Sequence, residues 1–203
     1  MFSITEIIIG ITCIISFLSF SNQNLSRNLL FNAYVVQHRK QYYRLISSGL
    51  IHADFMHLFI NMYVLYSFGS AIEYFYFEVF SSLSSYYYVM LYVGALIISS
   101  APDLAKHKNN PAFNSLGASG AVSAVVFASI LFNPLANIYL FALIPIPGIL
   151  LGIVYLVYTH QMTKKSNDHI NHSAHLFGAV FGILFTVVLK PVVFLNFLNQ
   201  LLP

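Results

Sequence analysis

Ser119 sits in the stretch NSLGASGAVSAVVFASILFNP, between small residues at the mouth of an apolar run. A serine hydroxyl is a weak nucleophile until a positioned base accepts its proton, and a neutral imidazole is the commonest such base. The partner is found through packing. Gly120, Ala124 and Ala128 recur every four residues, as do Ala174, Gly178 and Gly182 further on. Small residues at this spacing let two helix backbones approach closely in a membrane. Ser119 precedes the first stripe and His175 follows the first position of the second, so packing stripe on stripe predicts a Ser119–His175 dyad.

His57 and Asn61 lie one turn apart and share a helical face. Polar side chains in an apolar helix face the bundle interior and mark a functional site by default. Here they are expected to donate to the oxyanion of a tetrahedral intermediate, together with the Ser119 backbone N–H, while Gly117 allows close backbone approach. The bland reading, a polar pair that only joins helices, is worth about 0.6 kcal/mol on average. His52 belongs to the mouth of the same helix. Asp54, Asp103 and Asp168 are read as loop or mouth residues and Glu73 as lying at the far end of its helix, which favours a dyad over a triad.

The elements that must position these groups are membrane helices. The chain has 203 residues, 58% of them hydrophobic and 7% charged, against roughly 25% charged in a soluble domain. Apolar runs over 2–20, 55–72, 83–101, 117–132, 146–158 and 173–189 predict six spans. The fold class is therefore an all-α membrane protein. One membrane domain is expected over 1–203, with no soluble domain, so the bundle itself must act. The first run lacks a basic leader and is expected to stay as a permanent helix. Cys13, the single cysteine, is expected to pack, and excludes an intrachain disulfide. The run 117–132 would span roughly 24 Å against a hydrocarbon core of about 30 Å. Ser119 is thus expected below the membrane surface, in a polar cavity.

Tyr42, Tyr43 and Arg44 read as an interfacial anchor, and Tyr86, Tyr87, Tyr88 and Tyr92 as an aromatic belt. Glu73 is expected to cap a neighbouring helix or pair with an arginine. The segment 102–111 reads as a polar loop, 135–147 as an interfacial connection broken by Pro145 and Pro147, and 161–171 as a second polar loop. Arg27, Arg39, Lys40, Arg44, Lys106, Lys108, Lys164 and Lys165 fall opposite the termini, with Lys190 alone on their side, so the positive-inside rule puts both termini outside. The net charge of +3 accompanies no nucleic-acid motif.

Taken together, these residues resemble the rhomboid family of intramembrane serine proteases. The resemblance rests on Tyr43-Arg44 where the family commonly has Trp-Arg, His52-x4-His57-x3-Asn61, Gly69 with Glu73, Gly117-Ala118-Ser119-Gly120, and Ala174-His175 followed by Gly178 and Gly182. It covers 41–189. It implies a six-helix bundle with a short, recessed fourth helix, in which Gly120, Ala124, Gly178 and Gly182 pack helices. It implies cleavage of single-span membrane proteins in the cell membrane, with Ser119 as nucleophile, His175 as general base and acid, and His57 and Asn61 at the oxyanion. It also implies cytoplasmic termini, an orientation we adopt over the charge count. Two positions depart from the family pattern. Tyr43 replaces a tryptophan, and Ser123 replaces the aromatic that often stacks on the catalytic histidine.

Two other functions compete. A catalytically inactive rhomboid-like protein would hold membrane clients without cutting them, against which both dyad members are present. A metal transporter or metalloenzyme is raised by eight histidines and by His169, His172 and His175 at intervals of three. It is opposed by the absence of HExxH and of intramembrane carboxylates. No metal, cofactor or nucleic-acid partner is therefore expected; the expected partners are the lipid bilayer and transmembrane substrates.

Overall fold

Apolar sequence without long polar tracts leaves the backbone to satisfy its own hydrogen bonds, and the chain does so mainly as helix. The computed structural model describes residues 2–140, 143–165 and 170–202. Helix α1 (Ile4–Ser21) opens with a reciprocal Ser3–Glu6 capping box. Three short helices follow, α2 (Gln23–Leu29), α3 (Ala33–Arg39) and α4 (Arg44–Ser47). Helices α5 (Phe55–Phe80) and α6 (Ser84–His107) form one apolar stretch broken at Ser81, whose φ of 50° turns the chain so that the two pack on each other. Beyond them lie α7 (Ser119–Phe132), α8 (Gly148–Lys165), α9 (His172–Leu189) and α10 (Val192–Leu201). Among the described residues, three helical stretches are long and apolar enough to cross a membrane: Ile4–Ser21, Phe55–His107 and His172–Leu189.

Helix α7 is the axis of the bundle. It is apolar on all sides, and nearly every residue from Gly120 to Leu131 is buried, as expected of a helix surrounded by others. Leu58, Leu65, Leu91, Ala95, Ala121 and Val125 belong to one core shared by α5, α6 and α7. The outer faces carry exposed Phe, Ile, Leu and Tyr side chains, including Phe59, Tyr63, Ile153 and Leu184, as suits contact with lipid tails.

Glu73 caps α1, accepting from the Thr5 N–H at 2.6 Å and the Thr5 hydroxyl at 2.7 Å. Cys13 is a free thiol packed against the core. Elsewhere the structure corrects the sequence reading. Arg44 is buried, not an interfacial anchor: its guanidinium donates to Gln41 Oε1 and to the carbonyls of Arg27 and Leu30 at 2.7–2.9 Å, clamping the first loop. Tyr42 and Tyr43 are half-exposed. Tyr88 and Tyr92 are core residues, and the Tyr88 hydroxyl lies 3.0 Å from Thr5 Oγ1. Pro102 and Asp103 lie within α6, not in a loop, and 161–165 continue α8.

A two-residue ladder pairs β1 (Phe31–Asn32) with β2 (Asn114–Ser115), and within the expected interfacial connection β3 (Asn137–Leu140) pairs antiparallel with β4 (Ile144–Pro147), in the register Ile138↔Ile146 and Tyr139↔Pro145. Pro145 and Pro147 stand two apart, so both lack an N–H on the side away from the partner strand, where none is needed. Asp168 and His169 lie outside the described residues.

Candidate active site

The segment ahead of α7 is pinned at every step. β2 pairs with β1, and Asn32 Nδ2 donates to the carbonyls of Pro111 and Phe113 and to Asn114 Oδ1. The Gly117 N–H donates to the Ser48 carbonyl at 2.9 Å. Gly117 has φ of 113°, and a Cβ there would fall 2.7 Å from His57 Cε1. Backbone conformation and lack of space therefore both require glycine. Ser119 is then the first residue of α7.

His52 closes this segment from the other side. The Ala118 N–H donates to His52 Nε2 at 3.3 Å, which makes Nε2 the acceptor and leaves the proton on Nδ1. That Nδ1 lies 3.0 Å from Ser16 Oγ, whose hydroxyl donates to the Leu50 carbonyl. Burial first, and His57 second, push the His52 imidazole down to about 3 against the opposing charge of Asp54. The ring is neutral, as its hydrogen bonds require. The helix-face reading treated His52 as a mouth residue and missed this latch.

Helices α7 and α9 meet backbone to backbone. A Cβ on Gly178 would collide with the Gly120 carbonyl, and one on Gly182 with the Ala124 carbonyl. A Cβ on Gly120 would strike Ser99 of α6 and lie 3.3 Å from the Ala174 carbonyl. The residues flanking that last approach are Ser119 and His175. Both line a cavity of about 900 Å³ together with His57, Asn61, Ser123 and His172.

His57 Nδ1 accepts a long, 3.5 Å bond from the Ala53 N–H, which leaves Nε2–H as the donor on the side facing Gly117. Asn61 Nδ2 donates one hydrogen to the His57 carbonyl at 2.9 Å and has a second to offer. Asn171 caps α9 by accepting from the Ala174 N–H, while its Nδ2 donates to Asp103 Oδ2 at 2.5 Å and to Ser115 Oγ at 3.0 Å. The buried carboxylate of Asp103 thus fixes the start of the histidine-bearing helix. Tyr155 of α8, absent from the sequence reading of the site, stacks on His175 with ring centroids 6.3 Å apart and planes 14° apart. Among the described residues no three or more His, Cys, Asp or Glu side chains gather as a metal site, and His169 is outside them.

Bundle and cavity together define a multi-pass helical membrane protein with a polar site. A rhomboid domain model matches residues 39–192. A mitochondrial RHOMBOID-like protein 12 from Arabidopsis thaliana is 32% identical over 155 residues, a match covering 69% of this chain and 44% of that relative. The chain belongs to the rhomboid family. It matches less than half the length of that plant relative.

Proposed function

We propose that the protein is an intramembrane serine endopeptidase that cleaves single-span membrane proteins through a Ser119–His175 dyad. The observation that supports this reading best is the cavity shared by both side chains, next to the close approach of Gly120 to Ala174. In the proposed reaction His175 takes the Ser119 proton as Oγ attacks the scissile carbonyl. It returns that proton to the leaving amine, and a water activated the same way then frees the acyl group. Nε2–H of His57, the second Nδ2 hydrogen of Asn61 and the Ser119 N–H serve the oxyanion; losing one such donor typically costs about 10²- to 10³-fold in turnover.

The proposed architecture is a single membrane domain over 1–203 with six crossings, α5 and α6 counting separately and the short α7 recessed. Both termini are placed on the cytoplasmic side of the cell membrane. At 14 residues α7 would span roughly 21 Å, which supports a nucleophile lying below the surface.

Labelling with a serine-directed fluorophosphonate and cleavage of a model transmembrane substrate test the proposal. Both are expected in the parent and lost in Ser119→Ala and His175→Ala. Cleavage that survives Ser119→Ala would exclude the mechanism. Folded protein with neither labelling nor cleavage would point to a client-binding role instead.

A further inference from the structure

We infer that Tyr155 is the positioning residue that aims the His175 imidazole, with Ser123 holding Tyr155 in place. The inference rests on the protease reading above for its kinetic consequence, but not for its geometry. A serine one turn beyond Ser119 leaves α7 without a ring at that level, and the ring comes from α8 instead. The Tyr155 and His175 planes are 14° apart at 6.3 Å, within the offset-stacking range for aromatic pairs. The Tyr155 hydroxyl lies 2.9 Å from Ser123 Oγ, so the residue that lacks a ring anchors the ring that replaces it. Phe127 packs against Tyr155 with ring centroids 5.7 Å apart and planes tilted by 43°, and the Thr159 hydroxyl donates to the Tyr155 carbonyl. His172 meets His175 edge-on at 6.2 Å, so rings approach the imidazole from two directions.

The stack has a chemical consequence. To take the proton from Ser119 Oγ, His175 must keep one ring nitrogen turned toward it, and a ring packed nearly parallel beside the imidazole limits the rotation that would turn that nitrogen away. Tyr155 therefore restricts imidazole rotation while the proton is transferred. Since α8 carries Tyr155, the aim of the base depends on how α8 sits against α7 and α9.

The experiment compares Tyr155→Phe, Tyr155→Leu and the double variant Ser123→Tyr/Tyr155→Leu with the parent and Ser119→Ala. Tyr155→Leu is expected to lower kcat about ten-fold with KM unchanged, equivalent to about 1.4 kcal/mol. Tyr155→Phe, which keeps the ring and loses the Ser123 bond, should lose no more than about three-fold. The double variant, which returns a ring to α7, should recover most of the loss. Equal defects in Phe and Leu, or a Leu variant with parental kcat, would overturn the inference.

The second readout needs no activity. In protein with 15N-labelled histidine, the His175 ring-proton resonance, assigned by its loss in His175→Ala, should shift in Tyr155→Leu and stay near the parent value in Tyr155→Phe. An unmoved resonance in Tyr155→Leu overturns the stack whether or not the protein is a protease. Cleavage that persists in Ser119→Ala overturns the protease reading and leaves the resonance test intact.

Discussion

Helix α7 is held by α9 on one side and by α8 on another, and the two contacts are made of different material. Against α9 it offers backbone: the carbonyls of Gly120 and Ala124 lie where Cβ atoms of Gly178 and Gly182 would be. Against α8 it offers side chains: Phe127 and Ile130 meet Gly152, and Ser123 and Phe127 meet Tyr155. A backbone contact has no rotamers with which to adjust, so the first seam fixes how far Ser119 is from His175. The second can shift by small side-chain rotations, and under our proposal it sets only the aim of the imidazole.

The most damaging way to break this contrast is a single methyl group in the first seam. Gly178→Ala puts its Cβ inside the Gly120 carbonyl, and no side-chain movement relieves that overlap. Separating the helices sacrifices packing along the whole seam. Overpacking usually costs about 1–3 kcal/mol, and at a backbone contact we expect about 3 kcal/mol or more. Thermal unfolding in detergent should show a large loss for Gly178→Ala, and fluorophosphonate labelling should fall with it. A variant with parental stability would refute the rigid-seam description.

A smaller effect is expected from pH, because the His52 latch ahead of α7 titrates while the backbone contacts at Gly178 and Gly182 do not. His52 is neutral in the fold, with its pKa pushed to about 3 from an ordinary 6.5. Between those values the unfolded chain binds a proton that the folded chain does not. Stability contributed by the neutral latch is therefore complete above about pH 6.5 and declines as pH falls toward 3. Protonation also deprives the Ala118 N–H of its acceptor. Unfolding followed from pH 7 to pH 4 should show this decline, and His52→Gln, which offers an amide oxygen that does not titrate, should reduce the slope. An equal slope in the variant would remove His52 as the cause.

The same contrast explains what could be read from the sequence. Gly120, Ala124, Gly178 and Gly182 announce a seam because small residues at a fixed spacing are a local pattern. His57 with Asn61 is equally local, one turn on one helix. Tyr155 carries no such signal, since its relation to His175 exists only once α8 lies beside α9. Arg44 looks like a membrane anchor until the carbonyls of Arg27 and Leu30 fold back onto it. Tyr88 and Tyr92 look like a belt because their neighbours in sequence are aromatic, whereas burial is decided by α1, which brings Thr5 to Tyr88. The hairpin at 137–147 was concealed by Pro145 and Pro147, which ordinarily argue against a strand and are tolerated here by their matching phase.

The smallest expected effect sharpens the comparison from the other side. Gly152 lies in α8 facing α7, and a Cβ there would stand 3.3 Å from Ile130 Cδ1 and 3.3 Å from Phe127 Cε1. Both are side-chain atoms, one the end of a flexible chain and the other the edge of a ring that can tilt, so a shift of a few tenths of an ångström suffices. Against that strain stands the gain from removing an interior helical glycine, about 0.5–1 kcal/mol relative to alanine. The two nearly cancel, and Gly152→Ala should unfold within about 0.5 kcal/mol of the parent. The same substitution is thus expected to be severe on one face of α7 and almost silent on the other. If thermal unfolding gave Gly152→Ala and Gly178→Ala similar losses, the distinction between a backbone seam and a side-chain seam would fail.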